Sequence, residues 1–233
     1  MVERFSSSKE NPVENPNLNL EKINVGSPAV KVLLEVIKSN SEIEKMTYVK
    51  YAPEQPLGPE EDYIFKEPWV TPDTYELTPI QLSEEGLRSL DQDIQRISRE
   101  DPNYLIPVTK IFGLASKVIL KDSSEAHIPM MDFYCNPFEK KEEILLKIGE
   151  YMKPFHGFIL DSGNAYHFWG TQLMNKKEWQ NFLDFCYGQK HTDRNWIDFS
   201  KLQDFCILRI FEYIDLYEDE CSKAEPKVVK ILR

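Results

Sequence analysis

Gly157-Phe158-Ile159-Leu160-Asp161-Ser162-Gly163-Asn164-Ala165-Tyr166-His167-Phe168-Trp169-Gly170 reads as a β-hairpin. Gly157–Leu160 and Tyr166–Gly170 are strand-like runs, and Ser162-Gly163-Asn164 supplies the turn between them. Turn residues between two apolar runs are the usual signature of that motif. Gly163 lets a ligand approach the backbone closely. The hydroxyl, the amide and the backbone N–H groups of this turn suit phosphate oxygens. His167, entering an aromatic strand, is able to present a ring nitrogen to the same phosphate. The same residues also satisfy a plain tight turn followed by a core histidine.

On the N-terminal side, Tyr104–Ile111, Lys117–Lys121 and Ile128–Cys135 read as short strands. Gly113 and Asp122-Ser123-Ser124 read as the turns between them. Asn136-Pro137 opens a helix with Ile144, Leu145, Ile148 and Met152 on one face. On the C-terminal side, Asn175 and Glu178 make a capping box. Trp179, Phe182, Leu183 and Cys186 follow as the inner stripe of that helix. Phe205–Tyr213 and Val228–Leu232 read as strands. The order strand, helix, hairpin, helix, strand implies an α+β fold with a mostly antiparallel sheet and helices on one face.

The first hundred residues differ in character. Residues 1–24, rich in Ser, Asn, Glu and Pro, read as a mobile tail. Ser27 is the expected cap and Pro28 the expected first residue of a helix carrying Val30, Leu33, Leu34 and Ile37. Met46–Tyr51 alternates like a half-buried strand. Ala52–Pro79 is Pro-rich and interleaved with Tyr63, Phe65, Trp69 and Tyr75, which implies an irregular, packed connection. Ser83 starts a helix expected to run to about Arg99, with Leu87, Leu90, Ile94 and Ile97 at helical spacing. The expected division is a tail over 1–24, a smaller α/β unit over 25–103 and a core over 104–233.

The 233 residues suit one large domain, or one with a tail, and 41% hydrophobic content is enough for a core. A net charge of -11 argues against a general double-strand DNA binder, whose affinity rests on neutralising phosphates. Cys135, Cys186, Cys206 and Cys221 have no zinc-site spacing and read as reduced, mostly buried thiols. No signal-peptide core and no run of transmembrane length is present, so the expectation is a soluble, cytoplasmic protein with no membrane partner.

Two further segments carry candidate chemistry. Pro129-Met130-Met131-Asp132-Phe133-Tyr134 places a lone carboxylate at the mouth of an apolar strand, where it either ends the strand or holds a hard cation such as Mg²⁺. In Asp193-Arg194-Asn195-Trp196-Ile197-Asp198, Asp193 or Asp198 is a candidate second carboxylate. Arg209, inside the apolar run Leu208-Arg209-Ile210, requires an anion from the protein or from a ligand phosphate.

A lone Asp after an apolar strand, a Ser-Gly-Asn-x-Tyr-His hairpin, then Asp-x-x-Trp-Ile before Leu-Arg together resemble the archaeo-eukaryotic primase superfamily. The likeness is nearest to its small bacterial primase 1D-like branch and covers about residues 104–213. The resemblance implies an RRM-like catalytic sheet joined to a smaller α/β unit. It also implies nucleotidyl transfer from a nucleoside triphosphate with Mg²⁺ or Mn²⁺, on single-stranded or primed nucleic acid. Asp132 then matches the first metal carboxylate and Asp193 the later one, with Asp198 as its rival. Ser162, Gly163, Asn164 and His167 match the nucleotide-phosphate motif, and Arg209 the basic residue near the phosphates. One departure stands out: Tyr134 occupies the place of a second acid, for which Glu125 or Glu139 is a candidate replacement. Two other readings follow from the residues. One is an accessory module that binds nucleotide or single strands without turnover, and the other an unrelated acidic interaction protein using residues 52–79.

Overall fold

Ile111–Leu120 is the longest strand of the computed structural model, which describes residues 22–51, 70–77, 82–90, 92, 111–135, 138–163, 165–214, 222–223 and 225–233. Along one side this strand, β3, pairs antiparallel with β1 (Ile43–Tyr51), and β1 pairs with β2 (Val70–Leu77). Along its other side lie β4 (Glu125–His127) and β8 (Ile207–Arg209), end to end. The expected turn at Gly113 is therefore corrected. Gly113 faces Val49 on one side and Arg209 on the other, and the two ladders hold the chain extended through it. The expectation of an irregular connection is likewise corrected at residues 70–77. Pro72 sits there in an edge strand, where its missing N–H interrupts no central ladder.

The second sheet has the order β11 (Lys227–Leu232), β6 (Gly157–Asp161), β7 (Ala165–Gly170), β5 (Met130–Tyr134), all antiparallel. The hairpin read from the sequence is β6 and β7. Its base is tight: a Cβ on Gly157 would lie 2.3 Å from the Trp169 carbonyl oxygen. The expected strand over 205–213 is shorter. After Ile210, whose N–H still donates to the Phe112 carbonyl, the chain leaves β3, and Tyr213–Ile214 (β9) pairs instead with Ser222–Lys223 (β10).

Among the described residues, five helices accompany the sheets. In α1 (Ala29–Ser39) Pro28 is the cap rather than the first helical residue. It is held extended by its bridge to Lys227, while Ser27 Oγ accepts from Asn24 N. In α2 (residues 84–90) Ser83 Oγ accepts from Gly86 N at 3.0 Å. The expected continuation past residue 92 lies outside the described residues, as do residues 1–21 of the expected 1–24 tail and the segments 52–69 and 104–110. The rest of that tail is corrected, because Ile23 is buried in the core. α3 (Lys141–Tyr151) starts at a Lys140 cap, later than Asn136-Pro137, and buries Ile144, Ile148 and Gly149. α4 (Lys176–Tyr187) has the expected capping box and buries Trp179, Phe182, Leu183 and Cys186. α5 (Arg194–Gln203) was not expected as a helix; Asp193 caps it, and it ends at Asp204 with φ 66°.

The result is an α+β fold with two larger antiparallel sheets and the short β9–β10 pair. One buried apolar cluster runs through both, from Val30 and Tyr48 to Trp169 and Leu208. Each fully buried side chain such as Phe158 or Leu183 contributes about 1.5–3 kcal/mol over its exposed state. β1 and β2, from the expected N-terminal unit, share a sheet with β3 from the expected core. Cys135 is half-buried, Cys186 and Cys206 are buried, and all three are free thiols. Among the described residues no helix is long and apolar enough to cross a membrane.

Candidate functional site

Asp132 and His167 are direct cross-strand partners of β5 and β7. Paired residues share a sheet face, and His167 Nε2 lies 3.7 Å from Asp132 Oδ1. That distance is too long for a hydrogen bond. Burial, reinforced by the charge of Arg209, lowers the His167 pKa to about 3, so the ring is neutral. Burial, then the charge of Asp193, raises the Asp132 pKa to about 7, against the opposing pull of the Phe133 N–H and Arg209. Asp132 Oδ1 and His167 Nδ1 are both buried without a hydrogen-bond partner among the described residues.

The hairpin turn closes one side of this pair. Gly163 has φ +100°, a conformation that favours glycine, and its N–H donates to Asp161 Oδ1 at 2.8 Å. Ser162 is buried, and its N–H and Oγ both donate to the Ala165 carbonyl at 3.0 Å. Lys141 of α3 donates to the Gly163 carbonyl and so pins the tip. Asn164 lies outside the described residues.

Arg209 arrives from the other sheet, on β8. It is buried; Nη2 donates to the Ser162 carbonyl at 2.6 Å and Nη1 to the Phe211 carbonyl. The charge therefore stands at the base of the phosphate-type turn, close enough to shift both Asp132 and His167.

Asp193 reaches the same place by a different route. Residues 191–193 run along the free side of β5: Tyr134 N donates to the His191 carbonyl at 2.7 Å, and Thr192 bridges Phe133. His191 is buried with φ 68°, and its Nε2 lies 3.6 Å from Glu139. Asp193 Oδ1 accepts from Trp196 N at 3.0 Å, so this carboxylate caps α5 while its charge acts on Asp132. Asp198 is exposed, about 140° further round the helix than Asp193. It does not act on Asp132 or His167. The structure thus brings together Asp132, His167, Asp193, Arg209 and the Ser162-Gly163 turn, and leaves Asp198 outside. Sequence reasoning missed α5, His191 and Lys141. The Asp193 cap was a readable signal for α5; no signal marked the other two.

A divalent metal is what the resemblance implies here. Glu125 is paired with Lys117 at 2.8 Å, and Glu139 with Lys147 and Lys190, each at 3.1 Å. Tyr134 is 57% exposed at the position of the missing acid. Among the described residues, no group of three or more His, Cys, Asp or Glu side chains is placed to hold a metal ion. These donors do not make a two-metal centre. What they do make is a buried cluster of one guanidinium, one neutral imidazole and a carboxyl group near its midpoint of ionisation. Such a set can take a phosphate oxygen by donation from Arg209 and His167.

A family model described as archaeo-eukaryotic primase 1D-like matches residues 101–217. No curated protein and no solved structure matches the chain.

Proposed function

The chain belongs to the archaeo-eukaryotic primase 1D-like family, and on that premise we propose that the cluster of Asp132, His167 and Arg209 binds the phosphates of a nucleoside triphosphate. Family membership supports a primase-related role in binding nucleotide or nucleic acid. The observation that carries the finer reading is His167. It is buried and neutral, its Nδ1 lacks a partner among the described residues, and it stands beside Asp132 within the field of Arg209. A neutral imidazole donates one N–H and tolerates a neighbouring guanidinium, so the ring and the charge of Arg209 both favour an anion at this place. Asp132 and Asp193 are the carboxylates available for nucleotidyl transfer onto single-stranded or primed nucleic acid.

A second reading is binding without turnover. Asp193 is committed to capping α5, Tyr134 stands where an acid was expected, and no group of three metal ligands forms among the described residues.

Calorimetric titration with each of the four nucleoside triphosphates, with and without Mg²⁺ or Mn²⁺, tests the binding. His167→Ala is expected to weaken it about tenfold, the value of a hydrogen bond to a charged group. Failure of the wild-type protein to bind any triphosphate, or an unchanged affinity in His167→Ala, refutes the proposal. Primer extension with Mn²⁺ separates the two readings. A product supports transfer, and binding without product supports the accessory role.

A further inference from the structure

The face of β5 and β7 that carries Asp132 and His167 does not end with them. Strand alternation puts Tyr134 on the same face as Asp132, and its cross-strand partner is Ala165. Exposure rises along this face, from 5% at His167 to 57% at Tyr134, so the strip runs from the buried interior to the solvent. Ala165 is too small to cover the neighbouring ring. Beyond it Gly163 borders open space, with nothing within 4 Å of where a Cβ would stand. The Tyr134 backbone is held on both sides, in register with Ala165 of β7 and by its N–H on the His191 carbonyl at 2.7 Å. A large aromatic ring is therefore kept in water on a rigid strand, one row above the buried imidazole of His167.

We propose that Tyr134 is the nucleobase-stacking residue of this site. The proposal rests on the nucleotide reading above and adds the part of the ligand that the phosphate donors leave unassigned. Two residues along an antiparallel strand span about 7 Å. This separation lets a phosphate lie at His167 and Arg209 while the base of the same nucleotide lies over the Tyr134 ring. Every base has a π-face, so the contact takes purines and pyrimidines alike and discriminates a nucleotide from a bare polyphosphate. The side chain that stands where the resemblance implies a second acid thus serves the opposite end of the ligand.

The test compares nucleoside triphosphates with inorganic tripolyphosphate as titrants of the full chain. Wild-type protein is expected to bind the nucleoside triphosphates more tightly than tripolyphosphate. Tyr134→Ala is expected to lose about tenfold in affinity for the nucleotides, the usual effect of removing one stacking aromatic, and to bind tripolyphosphate as before. Tyr134→Phe keeps the π-face and is expected to bind like wild type. Equal wild-type affinity for tripolyphosphate and nucleotides overturns the stacking role alone and leaves phosphate binding in place. So does a Tyr134→Ala variant with unchanged nucleotide affinity, or one that loses both titrants equally. No binding of any titrant by the wild type overturns the underlying nucleotide reading, and the stacking role with it.

Discussion

Arg209 lies on β8 of one sheet and Ser162 in the hairpin turn of the other, yet Nη2 of the arginine donates to the Ser162 carbonyl at 2.6 Å. This bond ties the tip of the β6–β7 hairpin to β8, and a second bond from the same guanidinium holds the Phe211 carbonyl. Arg209→Lys keeps the charge but cannot span both oxygens. Hydrogen bonds from charged groups contribute about 1.5–3 kcal/mol each. The substitution is expected to lower stability by about 2 kcal/mol in urea unfolding, and an unchanged midpoint would show that the fork is dispensable.

Asp193 combines a cap and a charge, and the two are separable. Asparagine caps as well as aspartate, so Asp193→Asn should leave α5 intact while removing the charge that raises the Asp132 pKa. Carboxyl ¹³C titration should then find Asp132 ionising at lower pH than in the wild type. Asp193→Ala should give the same downward shift and also lose about 1 kcal/mol of stability with the cap. An Asp132 titration that does not move in either variant would contradict the proximity of the two acids.

Asp132 and His167 pull the pH dependence of stability in opposite directions. The folded pKa of Asp132 is raised from 3.8 to about 7, so its contribution is present below the unfolded value and lost as pH rises through 7. That of His167 is lowered from 6.5 to about 3, so its contribution is present above 6.5 and lost as pH falls toward 3. Asp132→Asn removes only the first. Relative to wild type, this variant should gain stability between pH 5 and pH 8 in urea melts. A difference that stays constant across that range would rule out the raised pKa.

The hairpin base allows a paired comparison of glycines. A Cβ at Gly157 would meet the Trp169 carbonyl at 2.3 Å and the Phe168 ring at 2.6 Å. Gly157→Ala is therefore expected to cost about 1–3 kcal/mol through overpacking. Gly188, at the end of α4, has φ -77° and would place its Cβ 3.6 Å from the Phe185 carbonyl. Gly188→Ala should change stability by less than about 0.5 kcal/mol. Equal effects in thermal unfolding would mean that the β6–β7 pairing is looser than described.

What could be read from the sequence was what depends on neighbours in the chain. The Ser162-Gly163 turn, the Asn175–Glu178 box and the Trp179–Cys186 stripe follow from local chemistry, and all lie where that chemistry puts them. Gly113 misled because its conformation is set by Val49 and Arg209, 64 and 96 residues away along the chain. α5 was hidden because it buries little, Ile197 and Ser200, which is too short a stripe for periodicity to register. At the site, each motif was visible by itself. The facing of Asp132 with His167, and the passage of residues 191–193 alongside β5, depend on strand register and could not be read locally.

The strand pairing also says how much chain the folding unit needs. The family match spans residues 101–217, but β1 pairs with β3 from before it and β11 pairs with β6 from beyond it. A fragment cut to the matched residues would leave one edge of β3 and one edge of β6 bare, and bare edges template pairing with other chains. Such a fragment should associate with itself at concentrations where the full chain stays dispersed, as light scattering would record. The segments flanking the family region act as its built-in protection against aggregation.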